Sequence, residues 1–143
     1  MRKLYRFSSE LTEDQVEEIV EGLSRATQRM LSDFAERIDY VEFIDDRGFE
    51  ASICSLSEVE LDESKKMMDA IYGKDRYSYE DVTEDIILEK HDLRCPEEAT
   101  RKVLQNMIER HLDRYLTKDD VLDKISALGM QSLRKRDYKI LES

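Results

Sequence analysis

The chain has 143 residues, 40% hydrophobic and 40% charged, with a formal net charge of -11, which fits one domain spanning 1–143 with a modest core and argues against a disordered chain. No apolar run approaches the roughly 18–20 residues that cross a bilayer, and MRKLYRFSSELTED has no apolar stretch of the signal-peptide kind, so the expected compartment is cytoplasmic, with no membrane partner. The acidic balance makes nucleic acid an unlikely partner, because phosphates are met by basic faces.

KLYRF at 3–7 reads as a short strand. Thr12 then stands as a helix N-cap with Gln15 three residues on, flanked by Leu11 and Val16 as a hydrophobic staple. Val16, Ile19, Val20, Leu23, Met30, Leu31, Phe34 and Ile38 recur at three- and four-residue steps, which predicts a single helix of about seven turns. Val41 and Phe43 alternate with Glu42 and Asp45, and Phe49, Ala51 and Ile53 with Glu50 and Ser52, so DDRG is the turn of a β-hairpin. A helix from about Glu63 stops at Gly73. Ser78 suits a further helix with Val82 and Ile86 on one face, although DIILEKHDL suits a strand equally well.

Pro96, as a first helical residue, opens a helix whose face is Ala99, Val103, Leu104, Met107, Ile108, His111, Leu112 and Tyr115. Thr117 caps the next helix, which ends at Gly129. The last segment carries Met130, Leu133, Asp137, Ile140 and Leu141 as a partial helical stripe, while DYKIL would also serve as an edge strand beside KLYRF. The expected fold is α+β and predominantly helical. One long N-terminal amphipathic helix lies under a small antiparallel sheet of the N-terminal strand and hairpin, beside a C-terminal group of helices.

Four glycines, three of them used as turn or stop, leave none for a phosphate cradle. Gly22 with Ala26 makes a small-residue notch on the long helix, suited to a second subunit or to close packing within the monomer. Cys54, His91, Cys95 and His111 have the composition of a two-Cys, two-His zinc set, but only His91 and Cys95 form a tight pair. Packed histidines and reduced buried thiols are the plainer reading. Glu18 and Glu21 form E-x-x-E and Glu42 and Asp45 form E-x-x-D, a spacing that resembles the magnesium site of the all-α nucleoside triphosphate pyrophosphatases. That resemblance implies a cation bridging substrate phosphates. In that family the second pair lies on a helix, whereas here it falls in an alternating strand. Glu80 over Glu84 and Asp81 over Asp85 would form a double acidic row on a helix, read as a solvated face, a landing place for the chain's basic ends, or an imitation of nucleic acid.

Both ends are basic: residues 1–8 carry +3 and 129–143 carry +2, which leaves -16 of the net -11 for residues 9–128. Arg134, Lys135 and Arg136 are expected to meet acidic groups, in the same fold or in a partner, and not phosphates. No cofactor is implied. The reading is a non-enzymatic protein-interaction or regulatory protein, self-associating as a homo-oligomer, that offers an acidic surface to a protein partner. The alternatives are a divalent-metal-dependent nucleotide hydrolase using Glu18, Glu21, Glu42 and Asp45, and a nucleic-acid-binding regulator using the basic C-terminus.

Overall fold

The computed structural model describes residues 1–143. The chain opens on strand β1 (Lys3–Ser9), followed by helices α1 (Glu13–Glu21) and α2 (Arg25–Arg37) and a hairpin of β2 (Asp39–Ile44) and β3 (Glu50–Leu56). Helix α3 (Glu58–Tyr72), strand β4 (Tyr77–Asp81) and the short helix α4 (Thr83–Ile87) come next. Three helices end the chain: α5 (Glu98–Tyr115), α6 (Lys118–Leu128) and α7 (Lys135–Glu142). The sheet order is β2-β3-β1-β4, with every neighbouring pair antiparallel. A β-α-β-β-α-β run with this strand order is the split β-α-β plan of ferredoxin-like domains. Here α1 and α2 together take the first helix position and α3 the second.

The fold is thus α+β and predominantly helical, but the single long N-terminal helix is not formed. The N-terminus is a strand, and the helical stripe that follows it breaks between Gly22 and Ser24. The break is locally satisfied on both sides. Gly22 caps α1 through its N–H to the carbonyls of Glu18 (3.2 Å) and Ile19 (3.1 Å), and the Ser24 hydroxyl accepts from Thr27 N–H at 3.1 Å to start α2. The Gln28 side-chain amide then reaches back to the carbonyl of Leu23 (3.3 Å) and to that of Val20 (2.8 Å), which also accepts the Leu23 N–H at 3.1 Å. Helix α3 begins at Glu58 and not near Glu63, because Ser57 and Glu60 form a capping box. The segment whose state the sequence leaves open holds a strand and then one short helix, and the C-terminus is helix α7 and not an edge strand.

Helices cover both faces of the sheet. On one face Leu4, Phe43, Ala51 and Ile53 pack against Val82 and Ile86 and against Leu104, Met107, Ile108 and Leu112 of α5. Arg6 lies in this core at 1% exposure. Its Nη1 donates to Leu93 O at 2.7 Å, its guanidinium stacks 5.1 Å from the centre of the Phe43 ring, and its Nη2 has no partner. It ties the loop before α5 to the sheet. On the other face Tyr5, Phe7, Cys54 and Leu56 pack with Phe34 and half-buried side chains of α3. That second layer is thinner: α1 buries no residue fully, and α2 and α3 bury only Phe34 and Ser64.

Helix α7 is held by a buried ion pair, Lys124 Nζ to Asp137 Oδ2 at 2.9 Å, with the two side chains 5% and 3% exposed. The same carboxylate oxygen accepts Arg134 N–H at 2.8 Å. Removing one partner of such a pair leaves an uncompensated charge and costs about 3–5 kcal/mol. Asp137→Ala is expected to destabilise the protein by that order and to expose α7 amides first, as read by hydrogen exchange. Gly22 has φ -80°, and an added Cβ would meet only Ile19 O at 3.5 Å and Glu18 O at 3.6 Å. Gly22→Ala should therefore stabilise the fold by about 0.4–1 kcal/mol in denaturant titration.

Candidate functional site

Strand alternation places Glu42 and Ser52 opposite each other and Glu50 opposite Ile44, so the two glutamates are diagonal neighbours on one sheet face. That face carries α1, α2 and α3. At one end its side chains are apolar and the helices close on them. At the other end Ser9, Glu42, Glu50 and Ser52 form the floor, and the helices stand off to leave a cavity of about 450 Å³. Its walls are Val16 and Val20 of α1, Leu31 and Ala35 of α2, and Met68 and Tyr72 of α3.

Neither glutamate side chain has a hydrogen-bond or ion-pair partner, and no Lys, Arg or His lines the space. Burial raises the pKa of Glu42. Burial, then the charges of Glu42 and Glu13, push Glu50 up to about 7. Glu42 keeps an exposed surface while the surrounding protein desolvates it. Both hold because it lines a concave space open on one side. Tyr72 on the facing helix is pushed up by burial and by the same two carboxylates. A carboxyl pair in apolar walls, without a cation of its own, attracts positive charge and resists ionising in its absence.

Glu18 and Glu21 are exposed on α1 and do not line the cavity. Asp45 lies in the hairpin turn, where it accepts N–H bonds from Arg47 (2.9 Å) and Phe49 (3.0 Å). Burial works against its charge, but these bonds and the Arg47 guanidinium hold its carboxyl below the usual range. Of the four carboxylates only Glu42 lines the cavity, and no three or more His, Cys, Asp or Glu meet as a metal site anywhere. Cys54 and His111 lie on opposite sheet faces. Burial pushes the Cys54 thiol up to about 12 and His111 down to about 4. Cys95 is buried against Glu97 O, and His91 Nε2 is buried without a partner.

Gly22 and Ala26 are both exposed at the break between α1 and α2, so they form no notch on a continuous helix. The double acidic row is absent, because Glu80 and Asp81 belong to β4 and Glu84 and Asp85 to α4. Asp81 instead pairs with Lys3 at 3.4 Å. In the basic triplet, Arg134 pairs with Glu89 at 2.9 Å and Arg136 with Asp113 at 2.6 Å and with Glu109, whereas Lys135, expected to meet an acid as well, is exposed and meets none within the fold.

Two features escape the sequence reading. Ser55 Oγ and His111 Nδ1 meet at 2.7 Å, both buried, a bond that satisfies the histidine within the core. Glu50 enters the sequence pattern only as one of the polar residues that alternate with Phe49, Ala51 and Ile53, and the feature that marks it is its register beside Glu42 and Ser52. Comparison with family models, with curated proteins and with solved structures finds no match to this chain.

The raised pKa of Glu50 has a signed consequence for stability. A group that holds its proton more tightly when folded contributes stability that is complete below its unfolded value, 4.5, and is lost as pH rises through about 7. Glu50→Gln should therefore melt higher than the wild type at about pH 8, and the difference should shrink towards about pH 5.

Proposed function

We propose that this protein works by binding and not by catalysis, as a self-associating interaction module that offers an acidic surface to a protein partner. The open edge of β4 carries the reading. Val82 N–H donates to Leu4 O at 2.9 Å, which makes that pair hydrogen-bonded. Alternation along the ladder then turns the N–H and C=O of Tyr77, Tyr79 and Asp81 away from β1, and no other backbone bond reaches them. Tyr79, at the middle of the strand, is 42% exposed.

A second copy added antiparallel about Tyr79 sets Tyr79 opposite Tyr79, Glu80 opposite Ser78 and Asp81 opposite Tyr77. No carboxylate faces another directly. Such a two-fold strand addition is isologous and closes on itself. Glu80 and Asp81 then guard the edge against pairing in other registers.

The acidic surface follows from how the basic ends are spent. Arg2 pairs with Glu60, Lys3 with Asp81, and Arg134 and Arg136 with Glu89 and Asp113. The termini thus fold back onto the body, and a chain of net charge -11 presents the excess carboxylates outward. This reading suits the cytoplasm, where two free buried thiols stay reduced.

Light scattering should give twice the monomer mass at micromolar protein. Proline at 79 removes an outward N–H that β1 does not use, a position where an edge strand tolerates it. Tyr79→Pro should be monomeric with an unchanged circular dichroism spectrum, whereas Tyr79→Ala, which keeps the N–H, should still dimerise. A wild-type monomer, or a dimer indifferent to the proline, would overturn the proposal.

A further inference from the structure

We propose that the cavity under α1, α2 and α3 is a binding site for a small organic cation, an ammonium group carried on an apolar body. The charge would lie between Glu42 and Glu50, and the body against Val16, Val20, Leu31 and Met68. Nothing in this depends on the β4 edge.

Three observations converge on that chemistry. The space, about 450 Å³, has the size of a small-molecule site and combines apolar walls with a few polar groups on one side. Its only charged groups are two carboxylates with no internal cation, whereas the buried Asp137 and Asp45 and the half-buried Glu60 each have one: Lys124, Arg47 and Arg2. The apolar face of α1, with Val16 and Val20, buries no residue fully although it points at the sheet. An anion would meet two carboxylates, and a neutral apolar molecule would leave them desolvated without compensation. A bare metal ion would find two carboxylates and no third acidic, His or Cys ligand. An organic ammonium satisfies both halves of the site, and Tyr40 and Tyr72 add aromatic side chains to its lining.

The titratable groups that act on Glu50 are Glu42 from β2 and Tyr72 from α3, which line the cavity with it, and Glu13 of α1, which lies outside the lining; none of them is cationic. Protons therefore compete with the ligand. Binding should weaken as pH falls below neutral, and it should release protons there.

Isothermal titration calorimetry on the full chain at about pH 7.5 can use 2-phenylethylamine, with 2-phenylethanol as its neutral counterpart and methylammonium as charge without a body. The expected result is saturable 1:1 binding of the amine, with the alcohol and methylammonium each weaker by about tenfold or more. The double variant Glu42→Gln, Glu50→Gln keeps the shapes and removes the charges. It should fold, and its affinity for the amine should fall to that of the alcohol. Methyl carbon–proton spectra of the wild type should show Met68 shifting with the amine, which places the site without any variant. Equal binding of amine and alcohol, amine binding that survives in the double variant, amine binding that leaves Met68 unmoved, or no saturable binding at millimolar amine would each overturn the proposal.

Discussion

Coverage of the sheet on both faces is the constraint from which the rest of this structure follows. The strands alternate as they would in a sheet with one wet face: Leu4, Phe43, Ala51 and Ile53 point one way, and Ser9, Glu42, Glu50 and Ser52 are among those that point the other. Helix α5 takes the apolar face. The β-α-β-β-α-β connections put α1, α2 and α3 on the second face whatever its polarity, because crossovers between parallel strands of one sheet keep a single hand and so fall on the same side. Where that face is apolar, at Tyr5, Cys54 and Leu56, the helices pack. Where it is polar they cannot close, since the glutamates would be buried without partners at a cost of several kcal/mol. The cavity is the result of that conflict.

The break at Gly22–Ser24 belongs to the same account. A continuous helix from Glu13 to Arg37 would be straight, about 37 Å long at 1.5 Å per residue. Strand β1, with seven residues, spans roughly 23 Å. The excess has to be folded away before β2 can begin beside β3. Gly22 ends the first piece, Ser24 starts the second, and Gln28 satisfies carbonyls that the break exposes. α1 is then free to lie over the polar end of the sheet, where it contributes Val16 and Val20 to the cavity wall and buries nothing completely.

Local signals in the sequence were readable where one residue decides the outcome. Thr12 with Gln15, Thr117 as a cap, and the stops at Gly73 and Gly129 all act where expected, because capping depends on groups three or four residues apart. The hairpin was legible for the same reason. Ser57 with Glu60 obeys the identical rule, but the weak apolar pattern of α3 hides it. What periodicity could not deliver was the break, because Val20, Leu23 and Leu31 keep helical spacing across it while Gly22 and Ser24 interrupt the backbone. Nor did it reveal β4, whose five residues, YSYED, are a strand through pairing with β1 and not through any apolar alternation of their own. The candidate site was half legible. Glu42 was singled out for its spacing to Asp45, which a strand turns to the opposite face, and its true neighbour Glu50 lies across a turn. A linear spacing cannot report a cross-strand diagonal.

Charge completes the physical picture. The basic termini attach to different acids of the body: Lys3 to Asp81 at the end of β4, Arg134 to Glu89 in the loop before α5, and Arg136 to Asp113 on α5. Exposed pairs of this kind contribute little stability each, and salt screens them beyond about 8–10 Å. Their effect lies in what they remove from the surface. Arg134 and Arg136 are each held within 4 Å of a carboxylate, so much of the positive charge of the C-terminal triplet is offset within the fold, while the exposed Lys135 has no acidic partner. The long-range field is that of the acidic body, and it draws cations both to the outer surface and towards the one interior space whose carboxylates the chain leaves without a partner.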